Sequence, residues 1–103
     1  MNYKVIQSPE SKIDLDGIVN YITVRLSNPQ AAKDLADLYF EKLSNLSKGP
    51  RLYPLSNNYR LSVRGYRHFT FGSYIAYYTI SEETHTINII RIFYQKQNYP
   101  ETL

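Results

Sequence analysis

Apolar and polar side chains alternate from Asn2 to Gln7, with Tyr3 and Val5 on one side and Lys4 and Ile6 on the other, which predicts a short first strand. Ser8-Pro9-Glu10 then offers a side-chain cap, a proline suited to the first helical position and an acid at the positive end of a helix dipole. Leu15, Ile18, Val19, Ile22 and Leu26 follow at helical spacing, so a helix with one apolar face starts there. Gly17 costs it about 1 kcal/mol relative to alanine. Ser27-Asn28-Pro29 repeats the start signal after a very short break. Behind it Ala32, Leu35, Ala36, Tyr39, Leu43 and Leu46 keep the helical period. Lys48-Gly49-Pro50 closes this helix with a cation, an expected left-handed glycine cap and a residue that cannot continue. Two helices so closely joined are expected to form an antiparallel hairpin.

Beyond the polar loop from Arg51 to Asn58 the period changes to two. Leu61 and Val63 alternate with Arg60, Ser62 and Arg64, which predicts a strand opening at Tyr59 or Arg60, and Gly65 permits a bend before a further strand from Tyr66 to Phe71. Gly72-Ser73 reads as a tight hairpin turn. Tyr74 to Ile80 is apolar or aromatic at almost every position, the pattern of a central strand covered on both sides. Ser81 to His85 turns the chain, Thr86 to Tyr94 forms the last long strand, and Gln95 to Leu103 is a polar tail. The predicted class is α+β, a single domain over residues 1–103: an N-terminal strand, a two-helix hairpin, then three or four mostly antiparallel strands. The hairpin would cover one face of the sheet, leaving the other to carry arginines and tyrosines.

Composition narrows the function. With no cysteine, neither a disulfide nor a thiolate metal site can form, and His68 and His85 lack a third ligand nearby in sequence. Neither a G-x-S-x-G string nor a phosphate-binding glycine-rich loop is present, so no metal and no cofactor is expected. The start MNYKVIQSPESK lacks the apolar run of a signal peptide, and no window has the apolar length of a membrane span, so a cytoplasmic location without a membrane partner is expected. Residues 1–49 carry six basic and six acidic side chains, whereas residues 50–99 carry six basic against Glu82 and Glu83. The second half is thus net +4 within a chain of net +3, and it holds eight of the eleven tyrosines. Such a half attracts anions.

Four strings, SNPQAAKDL (27–35), LSKGPRLYP (46–54), RGYRHFTFGSYIAYYTI (64–80) and INIIRIFYQKQNY (87–99), in this order and spacing, resemble the RelE/ParE toxin superfamily of type II toxin–antitoxin modules. The likeness spans almost the whole chain. It implies a growth-inhibiting toxin, of the kind that stabilises plasmids, that forms a hetero-oligomer with a cognate antitoxin. It also implies one of two targets. RelE-like members are ribosome-dependent mRNA interferases, endoribonucleases that cut mRNA in the ribosomal A site; ParE-like members inhibit DNA gyrase and cut nothing themselves.

Cleavage through a 2′-hydroxyl needs a proton acceptor, cations for the developing phosphorane charge and a donor for the leaving oxygen. On the RelE-like reading, the resemblance assigns catalysis to Arg67, Arg91 and Tyr94. Phe69, Ile75 and Gln97 stand where RelE-like members carry further cations, so the set is depleted. Arg60, Arg64, Lys96 and Tyr99 are the expected contacts to nucleic acid or target, although Arg60, Arg64 and Arg67 equally suit a solvated strand face. Arg91 interrupts an apolar strand, so it is either paired with a carboxylate or carbonyl or exposed on a functional face. The modest net charge and the depleted set favour the gyrase inhibitor. The nuclease and an inactive antitoxin-binding module remain the alternatives, and whether the chain is an enzyme stays open.

Overall fold

The computed structural model describes residues 2–96 and Leu103. The first strand, β1 (Lys4–Gln7), leads through Ser8 into α1 (Pro9–Asn20). The Ser8 hydroxyl accepts the Ser11 N–H at 2.9 Å and donates to the Ile90 carbonyl at 2.6 Å, so one side chain caps the helix and ties it to the last strand. α1 runs into a π-helical turn (Tyr21–Arg25), in which the Leu26 N–H reaches back to the Tyr21 carbonyl. That wider turn carries Leu26 off the expected stripe: Leu15 and Ile22 are buried, but Leu26 is 55% exposed.

α2 (Pro29–Lys48) is capped by the Asn28 carboxamide, which accepts the Ala31 N–H at 3.1 Å. Ala32, Tyr39, Leu43 and Leu46 are buried, as the period requires. The expected left-handed cap at Gly49 is not there. Gly49 sits at φ −151°, an extended backbone, and its N–H closes onto the Asn45 and Leu46 carbonyls without needing a positive φ.

The segment expected to open the sheet is instead a helical turn, α3 (Tyr59–Ser62). L-S-V at 61–63 fits a two-residue period, but Asn58 caps the Leu61 N–H, and only Leu61 is buried while Val63 is 61% exposed. Gly65 makes the bend at φ +81°. Then follow β2 (Arg67–Phe71), β3 (Tyr74–Ser81) and β4 (Thr86–Tyr94), with Gly72 at φ +59° in the two-residue turn between β2 and β3. The four strands run β1-β4-β3-β2 in space, antiparallel except for the parallel β1–β4 pair.

The main core lies between the helical hairpin and one face of the sheet, where Leu15, Tyr39, Leu43 and Leu46 meet Phe69, Phe71, Tyr78, Ile87 and Ile89. The Tyr78 hydroxyl donates to the Pro50 carbonyl at 3.0 Å, and burial pushes its pKa up to about 12. The far face was expected to display arginines and tyrosines. It does carry tyrosines, but as part of a second apolar cluster, in which Leu61 of α3 covers Ile75, Tyr77 and Phe93, with Tyr66 and Leu103 against its side. Tyr77 and Tyr78 therefore both serve as core, one on each face.

Candidate functional site

β1 pairs with β4 only as far as Ile89, so α1 lies beside the remaining half of β4. A bulge between Tyr77 and Tyr78 falls at the same level, since Tyr77 pairs with Arg91 and Tyr78 with Ile89. At this unpaired stretch Asp14 of α1 takes the place of a strand. Its carboxylate accepts Arg91 Nε at 2.7 Å and an Arg91 terminal nitrogen at 3.0 Å, and it also accepts the Ile92 N–H at 2.9 Å. The pair is largely shielded, with the Asp14 side chain 15% exposed and that of Arg91 33%. The Asp14 hydrogen bonds raise the Arg91 pKa further above its usual value, and the guanidinium stacks over Phe93 at 4.9 Å.

Arg67 is elsewhere. Strand alternation puts it on the same side as buried Phe69 and Phe71, and its guanidinium donates to the Tyr53 carbonyl at 2.7 Å. It pairs with Tyr78, whereas Tyr94 pairs with Tyr74 four residues along β3. With β2 and β4 on opposite sides of β3, standard strand spacings put the Arg67 and Tyr94 backbones roughly 16 Å apart. Arg91 and Tyr94 border one shallow depression together, but Arg67 does not join them.

Tyr94 is 39% exposed and meets Tyr74 edge to face at 5.8 Å. Desolvation, reinforced by Tyr21 and Tyr94, raises the Tyr74 pKa, so its hydroxyl keeps its proton at neutral pH. These three tyrosines rim a groove of about 800 Å³ between the hairpin and the β2–β3 turn, lined also by Ile22, Leu26, Ala31, Leu35 and Gly72. Its walls are mainly apolar. Of its lining, Tyr21 and Leu26 stand out in the sequence, at the end of the amphipathic stripe of the first helix.

Of the expected contact residues, Arg60 is exposed on α3 and Lys96 is exposed just past β4. Arg64 is exposed too, but it is engaged, donating to the Leu103 carbonyl at 2.6 Å and lying over the Tyr66 ring at 5.0 Å. Tyr99 lies outside the described residues, as does Gln97. No cluster of three metal-ligating side chains occurs among the described residues, and none of their helices is long and apolar enough to cross a membrane.

A helical hairpin on a four-stranded sheet, with an apolar groove at one end and scattered cations, defines a small α+β protein. Residues 5–99 match the family model of the ParE toxin of the type II toxin–antitoxin system parDE. The chain belongs to that toxin family, within the RelE/ParE superfamily. Two solved structures share the fold. The toxin–antitoxin complex RelBE2 from Mycobacterium tuberculosis aligns with a TM-score of 0.62 at 20% identity, over 91% of this chain and 99% of that one. The chromosomal ParDE system from P. aeruginosa aligns with a TM-score of 0.69 at 21% identity, over 87% and 92%. No individual curated protein sequence matches the chain.

Proposed function

We propose that this ParE-family toxin arrests growth by binding DNA gyrase and that it does not cleave RNA. The observation that carries this reading is the dispersal of the cations a nuclease would need. Arg91 is neutralised by Asp14 and fixed in the fold, and Arg67 is spent on the Tyr53 carbonyl about four strand positions from Tyr94. A phosphorane would meet no converging pair of charges there. Cleavage on the ribosome, the alternative, would require Arg67 to move about four residues along β3 to reach Tyr94.

The groove supports a second element of the proposal, a cognate antitoxin. The two similar structures come from a toxin–antitoxin complex and a toxin–antitoxin system. An amphipathic segment of the partner would lay its apolar side between Tyr21, Leu35, Tyr74 and Tyr94. The toxin would then circulate as a hetero-oligomer in the cytoplasm until the antitoxin is lost. The target is tested with purified toxin, gyrase and relaxed plasmid: supercoiling should stop and gyrase–DNA complexes should be trapped. Unimpaired supercoiling at saturating toxin would reject the gyrase assignment.

A further inference from the structure

α3 is held to the sheet by a buried side chain and closed by local hydrogen bonds. Leu61, 0% exposed, anchors it in the far-face cluster, the Ser62 hydroxyl donates to the Tyr59 carbonyl at 3.0 Å, and the Tyr66 N–H returns to the Leu61 carbonyl at 3.0 Å. The same turn presents Tyr59 and Val63 to solvent, 80% and 61% exposed and four residues apart, hence on one side of it. Tyr59 is the most exposed of the large apolar side chains among the described residues. Arg60 and Arg64 are exposed on the same turn, and no acidic residue occurs anywhere from position 42 to position 81.

We infer that this knob on α3 is the surface with which the toxin grips its target protein, an acidic surface whose apolar recess takes Tyr59 and Val63. The inference rests on the gyrase reading above and deepens it by naming the contact. Tyrosine and arginine are the residue types that dominate interface energetics, and a support already ordered in the free toxin loses little entropy on docking. A protein partner suits the patch better than nucleic acid. Val63 is apolar and exposed, and it gains nothing from phosphates. The knob stands on the far face of the sheet, whereas the groove opens on the helical side, so the two surfaces can be altered separately.

The test measures gyrase inhibition by wild-type toxin, by Tyr59→Ser/Val63→Ser, by Arg60→Glu and by the charge-matched control Lys33→Glu on α2. Thermal unfolding of each variant verifies its fold, and growth arrest on induction is scored in parallel. The α3 variants should need at least about tenfold more toxin for half inhibition, and they should lose growth arrest, with Lys33→Glu unchanged. Wild-type inhibition matched by the folded double variant overturns the inference while leaving the gyrase reading intact. If wild-type toxin spares gyrase, that reading falls, and the growth assay decides for α3: arrest as strong with the double variant as with wild type overturns it. A labelled DNA duplex gives the last arm. Variants that lose duplex affinity yet inhibit gyrase fully would assign the knob to nucleic acid and refute a protein recess.

Discussion

Replacing Asp14 with alanine removes three hydrogen bonds at once, two from Arg91 and one from the Ile92 amide. Breaking a fully buried ion pair from one side costs about 3–5 kcal/mol, because the remaining charge is stranded. Water reaches a third of the Arg91 side chain, so part of that penalty is screened, but the Ile92 N–H is stranded in addition. The expected loss is about 2–3 kcal/mol, a large share of the roughly 5–15 kcal/mol that holds a small domain together. It corresponds to a melting point lower by roughly 10–20 °C. Removing the stranded charge should restore part of the loss, so Asp14→Ala/Arg91→Met should be more stable than Asp14→Ala alone. Chemical denaturation of the four proteins in this cycle gives the coupling directly. A loss under about 0.5 kcal/mol for Asp14→Ala, or strictly additive single variants, would show that the pair does not brace β4.

Three further outcomes follow from the packing. Leu61→Ala should cost about 2–4 kcal/mol and speed amide exchange across residues 61–66, since Leu61 is the side chain that α3 buries against the sheet; unchanged exchange there would refute that anchoring. Gly72→Ala should destabilise by about 1–2 kcal/mol in a melting experiment, because Gly72 has φ +59° and its new Cβ would stand 2.8 Å from Leu35 Cδ1. A melting point at or above wild type would contradict that strain. His68 is half-buried with its Nδ1 unpartnered, and desolvation lowers its pKa below the usual value. The unfolded chain therefore binds a proton first as pH falls, so stability is full above about pH 6.5 and declines below it until the folded value is passed. Wild type should lose stability relative to His68→Gln between about pH 7 and pH 5, and a constant difference over that range would remove His68 as the cause.

The long elements were legible because each repeats its period several times. α2 shows four buried positions on one stripe, and β4 begins and ends where its apolar run does. Ser8 and Asn28 announced both helix starts, since a capping side chain and a following proline act within one turn of sequence. Short β1 and β2 were legible from their alternation, but α3 was not. Residues 59–63 satisfy a two-residue alternation and a helical turn equally well, and what decides between them is the distant pocket of Ile75, Tyr77 and Phe93 that receives Leu61. The same turn is what covers the far face, so a strand at 59–63 would leave that face exposed. The π-turn at 21–25 left no mark in composition, although it moves Leu26 from the core to the rim of the groove. Arg91 was recognisable as a charge needing a partner, but its partner lies 77 residues away, a pairing that only the folded chain brings together. The same long-range geometry sets Arg67 about four strand positions from Tyr94, so residues that look like one catalytic set in sequence do not meet in one place on the sheet.

The central claim, that this toxin acts by gripping and not by cutting, is tested most directly by incubating the purified protein with ribosomes carrying a defined mRNA and mapping the 5′ ends. Intact message is expected at toxin concentrations that abolish gyrase supercoiling. Discrete cuts in the ribosomal A-site codon, lost in both Arg67→Ala and Tyr94→Ala, would contradict it.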